Sequence, residues 1–215
     1  MMSVVFTRRA AVCRRHVLAT GGAFAAVALS ACQVPGSGTP PRRVRLSPAQ
    51  DFPPNLPSVA WTLQVQEPAT TLALNTAKIA FVKMNGDIGY LSTGEWASRA
   101  PDMVMELLVE SFKSTGKMLS VGDRRARIRP DFELESNLGA FQIEETAEGA
   151  GLVRIALEGH LVEKARRTVL ASFAYDAEAE VAPLTLDAIV AAFDASLQDV
   201  MAQAVEWTLR TGAAV

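Results

Sequence analysis

Two pairs of arginines, a short apolar run and a cluster of small residues decide which part of this chain can enter a fold at all. Arg8-Arg9 and Arg14-Arg15 precede an apolar stretch from Val17 to Leu29, and Ser30 and Ala31 follow it. A positive segment, an apolar segment and small residues before a cleavage point make a secretory signal peptide, which is removed from the mature protein. The stretch is shorter than the roughly 20 apolar residues that a spanning helix needs. Residues 1–31 are therefore expected to be an address, with the working protein starting at Cys32.

The cysteine makes the reading more specific. Leu29-Ser30-Ala31-Cys32 resembles the lipobox of bacterial lipoproteins, whose cysteine is lipidated and becomes the mature N-terminus. The resemblance implies an S-diacylglycerol group and an N-acyl chain such as palmitate on Cys32, with no other cofactor. Thr7-Arg8-Arg9 and Arg14-Arg15-His16 also loosely resemble twin-arginine export signals, although paired arginines are ordinary in this position. Both export routes stay open, the general secretory one favoured.

Removing the address takes four arginines and no acid from 21 basic and 23 acidic residues, leaving a formal charge of about −6. A nucleic-acid binder would show a basic face, so that class is excluded. Cys13 and His16 leave with the signal, so the domain keeps neither a cysteine pair nor more than one histidine, His160. Its stability has to come from packing rather than disulfides, and a multi-histidine metal site is excluded. About 180 residues suit one core.

Seven of the eleven prolines lie between Gln33 and Ser58. Proline fixes φ and lacks the amide donor, so residues 32–58 are expected to be an extended tether. Arg42, Arg43 and Arg45 on it are either solvated charges or contacts for anionic headgroups. The domain is expected over 59–215.

Within it, Trp61-Thr62-Leu63-Gln64-Val65-Gln66 alternates as a half-buried strand does, and Glu67-Pro68 ends it. Lys78 to Lys83 is a second strand, Met84-Asn85-Gly86-Asp87 a turn, and Ile88 to Leu91 a short edge strand. Ser92-Thr93-Gly94-Glu95 has the spacing of a capping box before a helical turn holding Trp96. Pro101 suits the first turn of a helix whose buried stripe is Met103, Val104, Leu107, Leu108 and Phe112, with Gly116 as its stop. Lys117 to Val121 is a short strand, and Arg124-Arg125-Ala126-Arg127 an exposed loop. A three-strand meander follows: Phe132 to Glu144, Leu152 to Val162 and Thr168 to Tyr175. In its first strand Phe132, Leu134 and Leu138 share one parity while Phe141 and Ile143 share the other, which predicts a β-bulge near Gly139-Ala140. Thr185 can cap a last helix running to Thr211, about 40 Å long. The fold class is α+β: a mixed, largely antiparallel sheet with two helices on one face, preceded by signal peptide and tether.

No nucleophile elbow, phosphate loop or His-Glu-x-x-His motif is present. His160 has the parity opposite to Val153, Ile155 and Leu157, so it is expected on the exposed face near a strand end. Asp131, Glu133 and Glu135 alternate on the outer face of their strand as solvated charges. Trp96 and Trp207 are either core aromatics or the walls of a lipid slot. No catalytic, cofactor or metal residues are assigned; Cys32 is the one residue with a chemical role.

In order, the Trp61-Thr62-Leu63 strand ending at Glu67-Pro68, Lys78-Ile79-Ala80-Phe81-Val82, Gly89-Tyr90, Glu95-Trp96-Ala97-Ser98-Arg99 with Pro101, Leu107-Leu108, Asp131 to Glu135 and Trp207 resemble the ABC-type transport auxiliary lipoproteins. The resemblance spans Val59 to Leu209. It implies a non-enzymatic component working beside an ATPase, a permease and a mammalian-cell-entry (MCE) domain protein in lipid trafficking. It further implies docking onto the MCE assembly, a ring of copies as one arrangement, and phospholipid as a ligand. Gln33, rather than aspartate, follows the cysteine, which by the same analogy implies the periplasmic face of the outer membrane. A structural lipoprotein of outer-membrane assembly is the alternative.

Overall fold

A computed structural model describes residues 40–147 and 149–214 of the 215-residue chain. The expected signal peptide and Cys32 lie outside the described residues.

The organising element is one long strand. β7 (Phe132–Glu145) carries antiparallel β8 (Gly151–Glu163) along one whole edge, and β9 (Thr168–Val181) continues that meander. Its other edge is shared by three shorter strands, all parallel to it. β2 (Val59–Val65) takes the first part, β3 (Ala69–Thr70) the middle and β4 (Lys78–Val82) the last part. Beyond β2 lies parallel β6 (Met118–Gly122); beyond β4 lies antiparallel β5 (Ile88–Trp96), and parallel β1 (Arg42–Val44) pairs with β5. The nine strands form one mixed sheet. α1 (Ala100–Thr115) and α2 (Leu186–Ala213) cover one face.

The bulge falls where the parity break puts it. Leu138 faces Leu157 and Ala140 faces Ala156, so Gly139 is the extra residue. Leu134 and Leu138 before it, and Phe141 and Ile143 after it, therefore all reach the core.

α1 starts with proline in its first turn and ends on Gly116 at φ +60°, the left-handed conformation that glycine adopts without strain. The Thr185 hydroxyl accepts from the Ala188 N–H at the start of α2. The buried stripe of α2 runs through Ile189, Phe193, Leu197, Val200, Ala204 and Leu209, closing over the inward residues of the meander. At the centre Phe141, Phe193 and Trp96 form an aromatic triad, with centroid separations of 5.0 to 5.3 Å.

Three expectations are corrected. Ser92 to Glu95 is not a capping box: β5 runs through to Trp96, because β1 and β4 supply ladder partners that sequence spacing cannot reveal. The third strand of the meander continues past Tyr175 to Val181, paired with β8 throughout. Residues 40–58 are not free tether. Val44, Leu46, Ala49 and Leu56 are buried in the common core, and the Ala49 N–H donates to Ser111 Oγ at 2.9 Å. Prolines allow extended chain, but four apolar side chains with somewhere to go favour laying it onto the domain. Arg42 is accordingly paired with Asp187, and Arg45 with Glu110 at 2.7 Å.

Candidate functional site

The residues with chemical potential divide between the two faces of the sheet. On the inner face, Trp96 is fully buried in the aromatic triad, while Trp207 is half-buried at the sheet margin, its ring 5.0 Å from that of Phe173. They do not line one slot, and core packing accounts for Trp96. Its Nε1–H has no hydrogen-bond partner among the described residues, an omission that costs about 1–3 kcal/mol. Trp207 borders a cleft of about 320 Å³ with Tyr175, Glu206 and Arg210. Burial, and secondarily the Glu206 charge, raise the Tyr175 phenol above its ordinary range.

Among the described residues, no helix covers the outer face of the meander. Glu135, Asn137, Glu158, His160 and Ser172 surround a trough of about 720 Å³ whose far wall is Ala69 of β3. His160 stands directly across from Glu135, its Nε2 3.1 Å from Oε2. It is therefore within the strand on the outer face, half-exposed and held by a carboxylate. Ser172 lies across from His160 on the neighbouring strand.

The carboxylates expected as solvated charges turn out to have different jobs. The Asp131 Oδ2 accepts from both the backbone N–H and the hydroxyl of Thr62, at 2.7 and 2.9 Å, fastening the start of β7 to β2. Glu133, only 8% exposed, is paired with Lys164 of the β8–β9 turn. Glu133 alone departs from the expectation of an exposed acid; Asp131 is exposed and Glu135 half-exposed. The strand parity was readable, but the two partners come from Thr62 and Lys164, far away in sequence.

The expected basic loop folds into a 3₁₀ turn, Arg124–Ala126, capped by Asp123. Burial pushes the Asp123 carboxyl up, but hydrogen bonds from the side chain and backbone of Arg125 outweigh it and leave the group below its ordinary value. Among the described residues, no three His, Cys, Asp or Glu side chains gather as metal ligands. The geometry supplies a rigid plate with one packed face and one open, mostly acidic face.

Comparison with known proteins places the chain. The family model described as ABC-type transport auxiliary lipoprotein component matches residues 45–205. An uncharacterized protein of Bradyrhizobium diazoefficiens is 24% identical over 176 residues, covering 81% of this chain and 47% of that protein. The chain thus spans about half the length of that curated relative. The crystal structure of XCC0632 from Xanthomonas campestris superposes with a TM-score of 0.73 at 24% identity, covering 80% of this chain and 97% of that one. That of another uncharacterized protein gives 0.60 at 15% identity, covering 79% and 99%. These structures share the fold. The match from residue 45 also agrees with the packing of the proline-rich segment into the domain.

Proposed function

The chain belongs to the ABC-type transport auxiliary lipoprotein component family, and from that premise we propose a lipid-anchored, non-enzymatic part of an MCE-type intermembrane lipid transport system. The observation that carries the proposal is the combination of a lipobox ending at Cys32 with a family match that begins only thirteen residues later. The lipid on Cys32 holds the domain to a membrane; the domain presents its surface to the transporter. The open face suits such a role, since a long strand array with one bare, polar side is a ready protein-docking plate. Gln33 supports the periplasmic face of the outer membrane. Partners on this reading are the MCE-domain protein and, through it, permease and ATPase.

Two measurements test it. Cys32→Ala is expected to move the protein from the membrane fraction to the soluble envelope fraction while leaving the domain folded; full membrane retention would overturn the anchor. Pull-down of the intact lipoprotein is expected to recover an MCE-domain protein. Recovery of a β-barrel assembly component in its place would favour the outer-membrane assembly role.

A further inference from the structure

The strand directions gather several features at one end of the sheet. β4 runs toward the Met84–Asp87 turn, and β7 is parallel to it, so Glu145 ends there too. β8 begins and β9 finishes at the same end, and the segment 182–185 leads from it into α2. β5 starts there at Ile88. β1 is parallel to β5, so the chain preceding Arg42 enters from this side.

This end carries exposed apolar side chains that no packing need explains. Met84 is 65% exposed, Ile88 54% and Leu184 42%. Tyr90, two residues from Ile88, continues the strip along the outer face, with Lys78 Nζ 5.5 Å above its ring. The turn itself is polar-satisfied from within. Lys83 N–H donates to the Asp87 carbonyl, Gly86 N–H to the Lys83 carbonyl, and Asn85 and Asp87 bond to each other. Gly86, at φ +87°, allows the tight reversal. A tip whose Lys83, Gly86 and Asp87 amides are bonded within the turn, and which offers methionine and isoleucine outward, is suited to the headgroup–acyl boundary of a bilayer. Among the described residues the charges at this end include Lys83, Arg43, Arg42 paired with Asp187, Asp87 within the turn, Glu144, Glu180, and Glu145, whose carboxylate accepts from the Met84 N–H.

Chain length supplies the occupant. Pro40 is eight residue steps from Cys32, a reach of at most roughly 28 Å. The base of the turn lies four residues further along β4 than the level where β1 begins, about 13 Å. Counted from the same level, the start of β7 at Phe132 lies about nine residues in the other direction, about 30 Å away. An acyl anchor on so short a lead favours this end over the other.

We propose that the Met84–Ile88 hairpin, with Leu184 beside it, dips into the surface of the same bilayer that holds the Cys32 lipid, fixing the domain's orientation on the membrane. The inference rests on the anchor reading above. It is testable because the mature chain has no thiol besides the acylated Cys32. Met84→Cys and, at the opposite end, Leu119→Cys (69% exposed) would each be labelled with an environment-sensitive fluorophore. The labelled, full-length lipoprotein is then placed in phosphatidylethanolamine/phosphatidylglycerol vesicles with and without doxyl-labelled lipid. The label at 84 is expected to shift to the blue and lose roughly half its emission to doxyl lipid, with the label at 119 unchanged. Protein that floats with vesicles while the label at 84 stays unquenched overturns this inference alone, as does a blue shift without doxyl quenching, which would mark a protein partner. Protein that fails to float, lacking acyl mass on Cys32, overturns the anchor reading and this inference with it.

Discussion

The two faces of the sheet use the same strands for opposite ends. Between β7 and β8, inward residues such as Leu134, Leu138, Ile155 and Leu157 are wholly buried, while outward neighbours Glu135, Glu158 and His160 stand in or beside water. Alternation along a strand makes this division automatic. What differs is the partner: among the described residues the inner face meets two helices, and the outer face meets none. Stability is therefore concentrated on one side, leaving the other open to interaction at little energetic cost.

That contrast can be broken by substitution. Phe193→Ala removes one ring from the aromatic triad and is expected to cost about 3–5 kcal/mol, read by chemical denaturation. Gly159 is the close-packed point beneath Phe173, where an added Cβ would sit 2.7 Å from the ring; Gly159→Val should cost about 1–3 kcal/mol by overpacking. Trp96→Phe sharpens the comparison, because it discards an unpartnered N–H along with some ring volume. Its cost should fall well below that of Phe193→Ala, about 1 kcal/mol. On the outer face His160→Ala should change stability by no more than about 0.5 kcal/mol, since its contact with Glu135 is half-exposed. A loss comparable to Phe193→Ala there would end the division of labour.

A pH dependence belongs outside both faces. The Asp123 carboxyl is lowered, so its stabilisation is fully present above the ordinary aspartate range and is lost as pH falls through the depressed folded value. Asp123→Asn should flatten the acid limb of the stability curve slightly, and have its largest effect at neutral pH.

Local pattern revealed much of this. The 3.6-residue stripes of α1 and α2, the period-2 alternation of β7 to β9 and the parity break at Gly139 each follow from side-chain spacing alone. What stayed hidden depends on distant partners. Val44, Leu46, Ala49 and Leu56 have no common period, so their burial against α1 and α2 could not be read among seven prolines. Ser92-Thr93-Gly94-Glu95 satisfied a local helix rule that β1 and β4 overrode. Glu133 reads as a surface acid in the sequence but is buried beside Lys164, thirty-one positions away. The hairpin tip at Met84 read as an ordinary turn, since exposure of an apolar residue is a tertiary fact.

The asymmetric edge of β7 also has a bearing on time. Its antiparallel partner is joined through a short turn, whereas each parallel pairing joins residues more than fifty positions apart: Arg42 with Gly94, Val59 with Met118, Leu63 with Phe132, Ala80 with Gln142. Non-local pairings demand costly loop closure before they return any contact energy. The meander can therefore form early, and β1 to β6 must assemble onto it afterwards, with α2 closing the core last in chain order. Such a chain folds slowly for its size, and until that helix docks the apolar inner face of the meander is exposed to neighbours.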